Sequence, residues 1–190
     1  VDGTTAVALV YSFFKEHFKK IDYYIPDRYD EGYGISMKGI DHAEKNGFSL
    51  VIALDCGIKA VDKIEYARKK GIEFIICDHH NPGEVIPDAV AVLDPKQEGC
   101  TYPYKELSGC GVGLKLVQAY AIQSGEPAES VYKYLDLVVV SIASDIVPIT
   151  GENRIMSYFG LKKLNEKPSM GLKAIKEVAG ISKKEIDIEE

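Results

Sequence analysis

Near the start of the chain, apolar residues recur at intervals of three and four: Val7, Val10, Tyr11, Phe14 and Phe18. This spacing predicts an amphipathic helix over residues 4–19 that buries one side. Residues 21–26 then read as a strand stopped by Pro26, and Ser36 reads as the cap of a helix running to about Asn46. From there the pattern becomes regular. Residues 50–54 form an unbroken apolar run, as expected of a strand covered on both faces. A helical stretch follows, with Ile58, Val61, Ile64 and Ala67 on one side, and Arg68, Lys69 and Lys70 close it before Gly71, where cations complement the helix dipole. Residues 74–77 and 89–93 are two further short strands. Strand, helix, strand, loop, strand predicts an α/β fold: a Rossmann-like parallel sheet with helices on both faces. Beyond Pro95 the chain turns helical, over residues 109–123, 130–144, 152–165 and 172–178, with Pro148, Gly151 and Pro168-Ser169 as punctuation.

Composition narrows the class. The chain has 190 residues, of which 46% are hydrophobic and 27% charged, with 17 Gly and 8 Pro, which excludes disorder and collagen-like designs and suits one well-cored domain. The longest apolar stretches, residues 6–11 and 137–140, fall far short of the roughly 18 residues of a membrane helix. Cys56, Cys77, Cys100 and Cys110 show no C-x-x-C spacing and read as reduced thiols of a cytosolic protein. The opening Val1-Asp2-Gly3-Thr4 carries no initiator Met and no signal peptide, and residues 186–190 end in mid-pattern, so the sequence reads as an excised piece.

Three predicted strands each run into a carboxylate: Asp55, Asp78 with His79 and His80 after it, and Asp94. In an open parallel sheet, residues at the carboxyl ends of the strands share one edge, where ligands collect. Carboxylates and imidazoles crowded there call for a cation, and mixed Asp and His ligation suits Mn²⁺ or a related divalent ion. Asp94, followed by Pro95, reads instead as a turn residue. Asp145 ends a largely apolar helical stretch, where the dipole disfavours a negative charge, and reads equally as a metal ligand or as a solvated turn residue. Leu107-Ser108-Gly109-Cys110-Gly111 opens a helix, and its backbone N–H groups could hold a phosphate, although such starts are more often tight turns. Arg28 could pair with a phosphate, or only with Asp30 or Glu31, and Tyr33 could stack on a base. His17 and His42 read as solvated surface residues.

Asp78-His79-His80 resembles the signature of the DHH phosphoesterase superfamily, and Asp2-Gly3-Thr4-Thr5-Ala6, Asp55-Cys56-Gly57 and Ser144-Asp145 resemble its other motifs in order. The likeness is nearest to the superfamily's exonucleases of single-stranded DNA. Three segments carry it: residues 24–34, residues 107–112, and residues 143–154 with their Ser-Asp-Ile-Val-Pro and Gly-Glu-Asn-Arg runs. The resemblance implies a DHH domain over residues 1–167, its N-terminal strand and first metal motif truncated. Residues 168–190 would start a connector to a second domain and an oligonucleotide-binding fold. It implies two divalent cations, Mn²⁺ or Mg²⁺, with Asp55 bridging them and His79 and Asp145 holding the second. His80 would face the scissile phosphate, Asp78 would orient the histidines, and Asp2 would match a non-ligand aspartate.

The implied activity is hydrolysis of single-stranded DNA from the 5′ end to mononucleotides, in repair and recombination. Helicase and single-strand-binding protein would be partners, in the bacterial cytoplasm. A phosphodiesterase of cyclic dinucleotides or short RNA, and a non-catalytic scaffold, are the alternatives. With 23 Lys and Arg against 29 Asp and Glu, the formal charge of −6 is not that of a nucleic-acid binder and counts against the implied activity unless a basic groove belongs largely to further domains.

Overall fold

The structure, a computed structural model, describes residues 1–181 and 185–188. Its first helix, α1 (Asp2–His17), buries Ala6, Leu9, Val10, Phe13 and Phe14. The buried stripe is rotated from the predicted one. Val7 and Tyr11 are half-buried, and Phe18 is an exposed extended residue beyond the helix. Leu9 and Phe13 are almost fully enclosed, and burial of a side chain of that size contributes about 1.5–3 kcal/mol.

Residues 21–26 form no strand: Ile21 packs on the core, but Tyr23 and Tyr24 point outward. Without a ladder partner, alternation alone does not make a strand. Side chains anchor this segment instead, with Tyr23 edge-on to Tyr11 at 5.2 Å between ring centroids and the Tyr24 hydroxyl donating to Glu31. Helix α2 (Met37–Lys45) begins where Ser36 Oγ accepts the Gly39 N–H at 2.9 Å, as the capping signal predicts.

Strands β1 (Leu50–Leu54), β2 (Glu73–Cys77) and β3 (Ala91–Leu93) form a parallel sheet in that order, with Leu54 opposite Cys77 and Cys77 opposite Leu93. Helix α3 (Val61–Lys69) joins the first two strands, and Gly71 makes the left-handed turn after it (φ 72°). The period of two sorts the sheet residues to opposite faces. Ile52, Leu54, Ile75, Cys77 and Leu93 join the core built with α1, α4 (Gly109–Gln123) and α5 (Leu135–Asp145), while Ala53, Phe74, Ile76 and Val92 face Ile40 of α2 and Ile64 of α3. Helices therefore cover both faces. β3 starts two residues later than predicted, and Val90 before it is 62% exposed.

The segment predicted as one helix over residues 130–144 is a 3-10 helix, Ala128–Tyr134, that leads into α5. Helices α6 (Gly151–Glu166) and α7 (Met170–Val178) complete the fold, and Leu164, Leu172 and Ile186 pack on Val139 of α5. α5 and α6 cross closely at Gly160, where a Cβ would stand 2.4 Å from the Leu135 carbonyl oxygen. Among the described residues β1 has no partner on its outer edge, and a groove of about 730 Å³ lined by Val7, Tyr11, Phe18, Leu50 and Tyr120 runs beside it. No described helix is long and apolar enough to cross a membrane.

Candidate metal centre

β1 and β2 end side by side, and the register carries Asp55 and Asp78 to one sheet edge: Asp55 N–H still donates to Cys77 C=O, and Asp78 N–H to Leu93 C=O. Asp55 then turns into a left-handed conformation (φ 61°), uncommon for a residue with a side chain and characteristic of functional sites. His79, 4% exposed, projects its Nε2 among three carboxylates: Asp55 Oδ1 at 3.0 Å, Asp145 Oδ2 at 3.6 Å and Asp2 Oδ2 at 3.8 Å. These residues come from the loops just after β1 and β2 and from α5 and α1, so the cluster exists only in the folded chain. Among the described residues no Lys or Arg lies within 4.0 Å of those three carboxylates.

The electrostatics follow from this geometry. Burial alone would lower the His79 pKa, but the hydrogen bond to Asp55 and the charges of Asp2, Asp55 and Asp145 outweigh it and hold the ring above its ordinary value. Asp2 is raised, first by burial and then by the charge of Asp55. A buried imidazole nitrogen held within 3.8 Å of three carboxylate side chains fits a divalent cation, which would neutralise the carboxylates and take the nitrogen lone pair. Two overlapping sets of donor atoms, Asp55 with His79 and His80, and Asp2 with His79 and Asp145, each lie within 4.8 Å of one another.

Asp78 is buried behind the cluster. Its Oδ2 accepts the Ile58 N–H at 2.9 Å, and its Oδ1 accepts the N–H of His79 at 2.8 Å and His80 Nδ1 at 2.6 Å. Burial would raise this carboxyl, yet the hydrogen bonds prevail and hold it below its ordinary value. An ionised Asp78 accepts only, so His80 Nδ1 carries a proton and Nε2 points away from it on a ring whose side chain is 45% exposed.

Asp2 does more than its motif implies. Its carboxylate accepts the N–H groups of Gly109 and Cys110 at 2.7 Å each, across 107 and 108 residues, and lies 2.7 Å from Ser141 Oγ. It is the anionic cap of α4. Ser108, fully buried, accepts the Gly111 N–H, so the N–H groups of Gly109, Cys110 and Gly111 are all engaged. The phosphate cradle expected at Ser108, Gly109 and Gly111 is therefore a helix start capped from within. Gly109 instead provides clearance, since a Cβ there would stand 2.6 Å from Asp55 Cβ and Oδ1. Ser141, 2.6 Å from Ser108 Oγ, was invisible to sequence reasoning, its signal being a lone hydroxyl in an apolar helical run.

Arg28 and Tyr33 meet each other: the guanidinium lies 5.2 Å from the ring centroid in a cation–π contact. Asp30 pairs with Lys38, and Glu31 accepts from Tyr24 and Ser36, so neither takes Arg28. Burial raises the Tyr33 hydroxyl first, and the charges of Asp55 and Asp145 add to it. Asp94 Oδ1 accepts the Lys96 N–H in the expected turn, although its side chain is buried. His17 departs from the solvated reading: it stacks on Phe13 with ring centroids 4.5 Å apart and bonds Glu126 at 2.7 Å. His42 is half-buried beside Tyr24. All four cysteines are free. Burial pushes the Cys56 and Cys77 thiols up to about 12 and Cys110 well above its ordinary value, so none of these three is a poised nucleophile.

A parallel α/β sheet with acids and paired histidines at its carboxyl edge defines a metal-binding domain of the doubly covered α/β class. Residues 1–142 match the DHH family, N-terminal domain, and the chain belongs to that family. It is 40% identical over 179 residues to the single-stranded-DNA-specific exonuclease RecJ of Bacillus subtilis (strain 168), covering 94% of this chain and 22% of that protein. It is 34% identical to the RecJ of Escherichia coli (strain K12), covering 94% of this chain and 33% of the relative. The chain thus spans a minor part of the curated relatives it matches. A crystal structure of exonuclease RecJ bound to manganese superposes with a TM-score of 0.85 at 28% identity, covering 99% of this chain and 47% of that one. RecJ from Thermus thermophilus in complex with Mn²⁺ gives 0.80 at 25% identity, covering 99% and 26%.

Proposed function

We propose that this domain hydrolyses phosphodiester bonds of single-stranded DNA, from the 5′ end and releasing mononucleotides, with divalent cations held by Asp55, His79 and Asp145. The observation that carries this reading is the convergence of Asp55, Asp145 and Asp2 on His79 Nε2 within 3.8 Å, with His80 alongside. The similarity to RecJ proteins named as exonucleases and crystallised with Mn²⁺ supports the substrate and the ion. When bound, divalent cations withdraw charge from phosphoryl oxygens and make water a stronger nucleophile at neutral pH.

The remaining roles belong to the chain. Asp78 fixes the His80 ring through Nδ1, so that Nε2 is presented outward to a phosphate oxygen, where it can donate or accept a proton. Asp2 does not serve as a primary ligand on this reading; it anchors α1 to α4 and so sets the distance between Gly3 and Asp55. Arg28 and Tyr33 offer a cation and a ring face to the incoming strand. On this reading residues 1–167 form the catalytic domain and 168–190 begin a connector, although Leu172 and Ile186 of that segment pack back on Val139; residues 182–184 and 189–190 lie outside the described residues. On this reading the protein acts in DNA repair and recombination in the bacterial cytoplasm, on strands opened by a helicase and coated by single-strand-binding protein.

The test is nuclease activity of the full-length protein with Mn²⁺ on 5′-labelled and 3′-labelled single strands, beside His80→Ala. Mononucleotides released from the 5′ end and lost in the variant support the proposal. Cleavage of dinucleotides with long strands left intact would replace it with a small-substrate phosphodiesterase.

A further inference from the structure

Besides Asp55, Ile146 is the other described non-glycine residue with a left-handed backbone (φ 57°). A β-branched side chain suits that conformation poorly, because Cβ crowds the following carbonyl. Burial does not compensate: Ile146 is 88% exposed. It directly follows Asp145, whose Oδ2 stands 3.6 Å from His79 Nε2, so this exposed apolar residue is one peptide bond away from a member of the acidic cluster.

The fold explains the backbone turn. It ends α5 and returns residues 147–150 to Tyr104, whose hydroxyl donates to Pro148 C=O at 3.0 Å, while Asn153 Nδ2 donates to the same carbonyl. A glycine or asparagine would make the same turn with less strain. Packing therefore accounts for the conformation and leaves the isoleucine unaccounted for.

We propose that Ile146 is a nucleobase-contacting residue, an exposed apolar surface on which a base of a single strand packs while the neighbouring phosphate lies at the Asp55, His79 and Asp145 cluster. The inference rests on the proposed function. A base face is flat and weakly hydrated, and covering it with an alkyl group releases water without demanding a hydrogen bond, so the contact is tolerant of sequence. Tyr33, 72% exposed, supplies a second apolar surface whose hydroxyl feels the same Asp55 and Asp145.

The experiment uses the full-length protein in a His80→Ala background, so that bound strands persist. Binding of oligothymidylate, and of an oligomer of the same length made wholly of abasic sites, is measured for Ile146, Ile146→Gly and Ile146→Val. The expected result is that Ile146→Gly weakens oligothymidylate binding by about 5-fold, leaves abasic binding and Mn²⁺ affinity unchanged, and that Ile146→Val restores most of the loss. In parallel, Ile146→Asn should raise the thermal midpoint by about 2 °C, because asparagine relaxes the turn. Equal oligothymidylate binding by Ile146 and Ile146→Gly overturns this inference alone, as does an equal loss on the abasic strand or a loss of Mn²⁺ affinity. Failure of the Ile146 protein to retain either strand overturns the proposed function, and this inference with it.

Discussion

Asp55 and Gly109 touch across two elements that are distant in sequence: a Cβ at Gly109 would stand 2.6 Å from both Cβ and Oδ1 of Asp55. Gly3 approaches from the other side, where a Cβ would lie 3.1 Å from Asp55 Oδ2. Two glycines at helix starts thus leave the slot that a left-handed Asp55 occupies. Gly109→Ala should push the carboxylate out of reach of His79, weakening Mn²⁺ binding at least about 10-fold and destabilising the fold by about 1–3 kcal/mol. Titration calorimetry and denaturant unfolding would check both, and an unchanged Mn²⁺ affinity would contradict this account of Gly109.

Asp2 joins α1 to the start of α4. Asp2→Ala leaves the buried N–H groups of Gly109 and Cys110 without an acceptor, and should destabilise the protein by about 2–3 kcal/mol in urea unfolding. A loss below about 0.5 kcal/mol would show that water replaces the cap.

Divalent cation should stabilise the folded chain by mass action. At a Mn²⁺ concentration about 100 times its dissociation constant the gain is about 2.7 kcal/mol, seen as a rise in thermal midpoint that continues with concentration. Asp55→Ala should abolish the rise, because it removes the carboxylate nearest to His79 Nε2. A rise that survives in Asp55→Ala would place the ion elsewhere.

His17 and Glu126 tie the end of α1 to the loop after α4. The hydrogen bond to Glu126 raises His17 above its ordinary 6.5, and the bond from His17 lowers Glu126 below its ordinary 4.5. A raised imidazole stabilises fully below about pH 6.5, and its contribution fades as pH rises through the folded value. A lowered carboxyl stabilises above about pH 4.5, and its contribution is lost as pH falls. The pair should therefore contribute most between about pH 4.5 and 6.5. The difference in thermal midpoint between the protein and His17→Gln should be larger at about pH 6 than at about pH 8.5, and a difference independent of pH would leave only the ring packing on Phe13.

Periodicity and punctuation are local properties, and they made β1, β2, the helix at 109–123 and the strand-end residues Asp55, Asp78, His79 and His80 readable in the sequence. A strand covered on both faces must be apolar throughout, and a polar residue right after it must lie at the sheet edge. Residues 21–26 show the limit. Their apolar content matches a strand, but a strand needs a neighbour, and local pattern does not supply one. The 3-10 helix at Ala128–Tyr134 likewise shares its local pattern with the α-helix that follows it.

What the sequence determined by itself is the α/β class and the kinds of side chain gathered at one edge, because these follow from periods of two and 3.6 and from the chemistry of Asp and His. Only the tertiary structure decided their assignments. Asp2 became the cap of α4, Ser108 a buried cap instead of part of a phosphate-binding turn, Gly109 the clearance for Asp55, and Arg28 the partner of Tyr33. Each of these depends on which elements pack together, and contacts spanning up to 139 residues, as between Asp2 and Ser141, leave no local trace in the chain.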